Sequence, residues 1–284
     1  MGRADKPQER PPVLLVAVSN PATIPELMGL AAKLSAHGGY QCVATHIVTV
    51  REQIQLSAAR SSPEVSEGTR LLQEAISYAA KIGIHARGVV EVAREVHEGL
   101  ISAAKNQHAE LVVVGYSVAG EQQAAGRGRD ERIFDRVMYR VARGAGIDLI
   151  VTKFRRPTVG SIMVPVLGGL NLSLTGMILR SLLAADDAAV RFVRAVDPHA
   201  DAEKQQQDLE RVLAEYDLLA LGAAEIISAS DPQTALVKRA DEHDLAIIGA
   251  ERPTIADTIF GNMAERVAAE ASCSVLLVRA MRKR

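Results

Sequence analysis

Short aliphatic runs alternate with longer amphipathic ones along this chain, and the whole series occurs twice. In the first half the runs Val13–Ser19, Tyr40–Val48, Ala86–Val92, Leu111–Gly115 and Asp148–Thr152 have the length of strands. Thr23–Ala36, Glu64–Ile82, Arg94–Gln107 and Glu131–Arg143 lie between them with apolar residues at helical spacing. The second half repeats the plan. Ile162–Val166, Val190–Val196, Ala223–Ala229, Leu245–Gly249 and Val275–Val278 read as strands. Asn171–Ala184, Ala202–Ala220, Pro232–Glu242 and Asp257–Ala271 read as helices, the third opening on Pro232 with Asp231 as its cap. Register supports a duplication. Val16–Val18 matches Val164–Val166, Glu110–Gly115 matches Asp244–Gly249, and Ile133–Lys153 matches Ile259–Arg279 without a gap. The second copy has shorter loops and the same order of elements. Two domains are therefore expected, residues 11–155 and 158–284.

Strand–helix alternation with connections of this length specifies right-handed crossovers and parallel sheets. The expected fold class is α/β, two tandem doubly wound parallel sheets of five strands each. Composition agrees: 48% of the residues are hydrophobic but only 3% aromatic, so the core must be aliphatic, as buried parallel strands require. A net charge of −1 and few stacking rings argue against a nucleic-acid partner. Cys42 and Cys273 sit in aliphatic runs and read as core filler in a reducing compartment. The aliphatic runs are strand-sized, and Met1–Pro12 lacks the apolar stretch of a signal peptide. The expectation is a cytoplasmic chain with no membrane span.

Enzyme signals are weak. No Gly-x4-Gly-Lys-Ser/Thr occurs, and Gly126-x-Gly128 is an incomplete dinucleotide fingerprint in the wrong place, after a fourth strand. The seven histidines form no metal-ligand spacing, so no metal is inferred. His46, on a buried strand, reads as a hydrogen-bonded structural residue, and His97 with Glu98 as surface and capping residues of the third helix. Ser19, Ser117 and Ser173 have no base partner visible in sequence, so no catalytic residue is assigned.

The ends of the fourth and fifth strands of the second half narrow the fold further. Leu245-Ala246-Ile247-Ile248-Gly249 runs into a loop, then Phe260-Gly261-Asn262-Met263-Ala264-Glu265-Arg266-Val267, then Cys273-Ser274-Val275-Leu276-Leu277-Val278-Arg279. With Ile162-Met163-Val164-Pro165-Val166 and Thr45-His46-Ile47-Val48, these segments resemble the universal stress protein family in tandem, two-domain form. The resemblance implies an adenine nucleotide alpha-hydrolase-like, Rossmann-like fold with strand order 3-2-1-4-5. It implies a non-enzymatic stress-response or regulatory role, and ATP or another adenine nucleotide as ligand. It also implies fifth strands that pair, here as an intramolecular pseudo-dimer of the two halves, with a homodimer or a protein partner as further expectations.

The family's nucleotide pattern is Gly-x2-Gly-x9-Gly-Ser/Thr, with an Asp ending the first strand. Gly115 and Gly249 match its first glycine. In the second half Arg252 replaces the next glycine, Gly261-Asn262 stands for the final pair one residue early, and Leu167 replaces the Asp ahead of Gly168. In the first half Val118 replaces the second glycine, Asp135 falls opposite Gly261, and Ser19 replaces the strand-end Asp. Gly126 and Gly128, in an arginine-flanked loop, offer either a different phosphate cradle or a solvated insertion. The candidate nucleotide residues are thus Gly115, Gly126, Gly128, Gly168, Gly249, Arg252, Gly261 and Asn262. A ligand-free scaffold is the alternative reading. His46–Leu56 also resembles the universal-stress-type cytoplasmic domains of some transporters, which would make the chain a soluble relative of such a regulatory domain.

Overall fold

The computed structural model describes residues 10–53, 55–115, 140–155, 158–250 and 263–281. Each half begins with a largely apolar strand, β1 (Val13–Ala17) and β6 (Ser161–Pro165), whose apolar side chains point to both faces. Leu14 and Val16 enter one core and Val13 and Leu15 the other, so a helix layer is needed on each side.

The first half continues with α1 (Ile24–Gly38), β2 (Gln41–Thr49), α2 (Leu56–Ala59), α3 (Pro63–Lys81), β3 (Ala86–Ala93), α4 (Val96–Asn106), β4 (Ala109–Gly115) and β5 (Asp148–Lys153). After β6 come α5 (Leu172–Leu183), β7 (Ala189–Val196), α6 (Ala202–Glu215), β8 (Ala223–Ser228), α7 (Pro232–Asp241), β9 (Leu245–Gly249), α8 (Met263–Glu270) and β10 (Ser274–Arg279). Residues 140–145 are helical as well. Leu34, Leu72, Ile178 and Leu213, from α1, α3, α5 and α6, fill one core. Leu100, Val141, Leu236 and Val267, from α4, residues 140–145, α7 and α8, fill the other.

The helix expected over Ala202–Ala220 stops at Glu215. Asp217 takes a left-handed φ of 54°, which turns the chain so that Leu218 is fully buried and donates its N–H to Leu213 O. Residues 257–262 of the expected last helix lie outside the described residues. Both cysteines are buried, and burial pushes the Cys42 thiol up to about 12.

The ten strands form one sheet in the order β3-β2-β1-β4-β5-β10-β9-β6-β7-β8. Every pairing is parallel except the central one. There β5 and β10 run antiparallel, from Val275 opposite Lys153 to Arg279 opposite Leu149. Lys153 Nζ crosses this seam to donate to Ala268 O at 2.7 Å, placing a cation at the last turn of α8, where the helix dipole favours it. On the other face α1 packs on α5, and Lys33 pairs with Asp186.

Candidate functional site

In an open parallel sheet a crevice forms at the carboxyl ends of the strands where the winding reverses. This chain has two such points, between β1 and β4 and between β6 and β9. They differ in the backbone. β1 stays paired with β4 as far as Ala17 opposite Val114. β6 pairs with β9 only at Ile162–Leu245 and Met163–Ala246.

Proline explains the difference. Val166 N–H donates to Val193 O at 2.8 Å, as Val18 N–H donates to Thr45 O at the same distance in the first half. Alternate residues of a strand face opposite neighbours, so position 165 faces β9, and Pro165 has no N–H to offer there. The residue that occupies the same place in the first half is Ala17.

Among the described residues, the space between the parted strands of the second half is narrow. Asn171, only 7% exposed, lies beside them and reaches across the ends of β9 and β10. Its Oδ1 accepts from Ala280 N at 2.9 Å, and its Nδ2 donates to Ala250 O at 3.4 Å. Gly249 is a glycine for this reason, since a Cβ there would lie 2.7 Å from Asn171 Nδ2 and 2.9 Å from its Cβ. The slot that remains, lined by Pro165, Leu167, Gly168, Asn171, Thr175 and Gly249, measures about 10 Å³. That is barely room for one water. Leu167, where the family pattern has Asp, is 48% exposed.

The first half keeps space. A cavity of about 340 Å³ opens at the carboxyl ends of β1 and β2, lined by Ser19, Pro21, His46, Thr49, Glu64, Glu67, Gly68 and Arg70 among others. His46 Nδ1 lies 2.8 Å from Val18 O. A carbonyl can only accept, so Nδ1 carries the proton, and in the neutral ring Nε2 is left as an acceptor. The ring lies against α3 at Gly68, where an added Cβ would stand 2.5 Å from His46 Cδ2 and 3.3 Å from Nε2. A glycine inside a helix costs about 1 kcal/mol against alanine, and here it makes room for the imidazole. His46 is thus the hydrogen-bonded strand histidine the sequence indicates, and it also faces a cavity.

The candidate residues separate accordingly. Gly249 and Gly168 line the closed slot of the second half. Gly115 ends β4 of the first half, where an added Cβ would make only ordinary contact with Leu27 at 3.5 Å. Packing does not demand a glycine there. Gly126, Gly128, Arg252, Gly261 and Asn262 lie outside the described residues. Sequence reading passed over Asn171 and Gly68. The signal for Gly68 is a glycine in mid-helix; Asn171 stands just before α5 like any capping residue. His97 is less exposed than a surface residue would be: its side chain is 13% exposed, with Nδ1 3.0 Å from Glu95 Oε2. Among the described residues no group of three or more histidine, cysteine or acidic side chains is placed to hold a metal ion, and no helix is long and apolar enough to cross a membrane.

At the amino end of the same strands, Asp244 Oδ2 accepts from Gly160 N, Ser161 N and Ser161 Oγ, each at 3.0 Å. This carboxylate, the acidic residue that opens the fourth-strand motif, ties the start of β6 to the start of β9. Residues 158–279, which contain it, match the sequence model of the universal stress protein family. That match spans the second half of the chain.

The fold likeness extends across both halves. A universal stress protein from Archaeoglobus fulgidus DSM 4304 aligns over 96% of this chain and 97% of its own, with 13% identity and a TM-score of 0.66. A functionally unknown protein from Pseudomonas aeruginosa PAO1 aligns over 94% of this chain and 92% of its own, with 16% identity and a TM-score of 0.59. No curated protein matches the sequence.

Proposed function

We propose that this chain is a member of the universal stress protein family and a non-enzymatic regulatory module of the cytoplasmic stress response, in which the first half reads an adenine nucleotide and the second half serves as its structural partner. The observation that carries this reading is the difference in space between the halves. The slot beside Asn171 in the second half measures about 10 Å³, while the first half has a cavity of about 340 Å³ between the end of β2 and α3, beside Ser19. A volume of that order suits a small ligand rather than water alone. An adenine amino group would donate to His46 Nε2, and the hydroxyls of Ser19 and Thr49 are of the type that bonds a ribose. The phosphates would run toward Gly115, where backbone can approach closely. Binding would favour one surface of the module over another, which is regulation without turnover. Because β5 and β10 pair with each other, the two halves act as a dimer within one chain.

One feature favours the ligand-free scaffold as a second reading. Leu167 and Leu170 are 48% and 54% exposed at the mouth of the closed slot, an apolar pair suited to a protein partner. Calorimetric titration of ATP and of adenosine into wild type and His46→Phe separates the two. The nucleotide reading expects one site per chain, lost in the variant, with no ADP formed on prolonged incubation. Two sites per chain, or unchanged binding by His46→Phe, overturn the first-half assignment; no heat from either ligand leaves the scaffold.

A further inference from the structure

The outer strand β3 carries a feature that the nucleotide reading does not use. A cavity of about 740 Å³ is lined by five successive residues of this segment, Val90 to Arg94. A pocket on the face of a sheet touches alternate residues of a strand. One that touches every residue runs along the strand's edge, here for about 13 Å at ~3.3 Å per residue.

That edge is open in the described sheet. β3 pairs only with β2. Ala93 O accepts from Val50 N, and Val89 O accepts from the Thr45 hydroxyl, so the odd-numbered backbone groups face inward. The N–H and C=O groups of Val90 and Val92 therefore face the trough. The opposite edge of the sheet is guarded differently: on β8, Ala224 O, one of the outward-facing groups, has Gln206 Nε2 of α6 donating at 3.5 Å.

The two walls of the trough have different chemistry. Gly88 packs against Ile76 and Leu72, so Val90 and Val92 share the α3 side, where Leu56 and Val65 complete an apolar wall. Glu91 points the other way and accepts from Ser102 Oγ of α4 at 2.6 Å, and Glu98 stands on the same helix. The wall on that side is acidic. The cationic lining groups lie elsewhere: Arg94 donates to the carbonyls of Val50 and Arg51 just past β2, and Arg60 caps the end of α2.

We infer that β3 is a docking edge for an extended segment of another protein in which apolar and basic residues alternate. The segment adds as an eleventh strand. Its main chain pairs with Val90 and Val92, its apolar side chains lie toward Leu56 and Val65, and its Lys or Arg side chains lie toward Glu91 and Glu98. Main-chain pairing supplies affinity and the alternating walls supply selectivity. The assignment is independent of whether the first half binds nucleotide.

The test is fluorescence anisotropy of a labelled, end-blocked heptapeptide alternating Val and Lys. Wild type should bind it saturably, and Glu91→Gln with Glu98→Gln should weaken it at least about tenfold. Val92→Pro should abolish binding while leaving the thermal melt near wild type, because the N–H it removes faces outward and takes no part in the β2 ladder. Failure of wild type to bind, equal binding of a Val and Glu peptide, or no effect of the glutamine pair overturns the proposal. So does wild-type dimerisation in sedimentation that Val92→Pro removes, since that assigns the edge to a second copy of the chain.

Discussion

Replacing Asn171 by alanine tests whether its amide holds the second crevice shut. The side chain is buried and makes one good hydrogen bond, from Ala280 N at 2.9 Å, and one near the distance limit, to Ala250 O at 3.4 Å. Alanine leaves the Ala280 N–H without its acceptor, which costs about 1–3 kcal/mol. The longer bond adds little. The expected loss is about 2 kcal/mol, or roughly 3–4 °C in melting temperature for a chain of this size. Thr23, at the N-cap of α1 as Asn171 is at that of α5, provides the control. Its hydroxyl donates to Asn20 O at 2.9 Å in an exposed setting, so Thr23→Ala should cost well under ~1 kcal/mol. Urea unfolding followed by circular dichroism reads both variants, with an unchanged denaturant slope as the check that the transition is comparable. Equal midpoints for the two variants, or a loss below ~0.5 kcal/mol for Asn171→Ala, would refute the reasoning.

Three further perturbations follow from the same contacts. Gly68→Ala sets a helix-propensity gain of about 1 kcal/mol against a Cβ 2.5 Å from His46 Cδ2; overpacking of that kind costs about 1–3 kcal/mol, so a net loss is expected in a thermal melt, together with weaker ligand binding in the first half. Asp244→Ala removes the acceptor of three hydrogen bonds between β6 and β9 and should destabilise by about 2–4 kcal/mol in urea; an unchanged midpoint would remove its role as a clasp. Cys42 should resist thiol reagents at pH 8 until the chain unfolds, because a thiol at about 12 is thiolate in only about one molecule in ten thousand. Folding raises this group from its ordinary 9.0, so its contribution to stability is complete below pH 9 and falls as pH climbs from there toward 12.

Periodicity made the fold legible. Leu71, Leu72, Ala75 and Ala79 recur at helical spacing and are all buried on α3, and the continuous run Val13–Val16 is the strand buried on both faces that a doubly wound sheet needs. The antiparallel seam was legible only through the family resemblance, since β5 and β10 are as aliphatic as their parallel neighbours. The candidate site was less legible. Glycine positions mark where backbone is permitted to come close, without saying what comes close. Gly249 is an example: the group that approaches it is Asn171, 78 residues earlier in the chain. His46 posed the converse problem. Its strand position foretold a buried polar group with a partner, but the direction of its second nitrogen depends on Gly68 in a helix that sequence alone does not dock.

The asymmetry of the two halves reduces to a small number of side chains. Each half holds a carbonyl-bound valine beyond its first strand, Val18 on Thr45 and Val166 on Val193. One residue earlier the copies diverge, Ala17 against Pro165. Alanine keeps the donor that β1 directs at β4, and the ladder there runs to the strand's end. Proline withholds it, and β6 parts from β9 after Met163. Asn171 acts at the neighbouring ladder. Ala250 N–H donates to Val278 O, so residue 250 faces β10, and the Asn171 amide bridges Ala250 O and Ala280 N where β9 and β10 end, giving these backbone groups partners. The same side chain lies against Gly249 and narrows the slot beside Pro165 to about 10 Å³. The first half has its space at the ends of β1 and β2 instead.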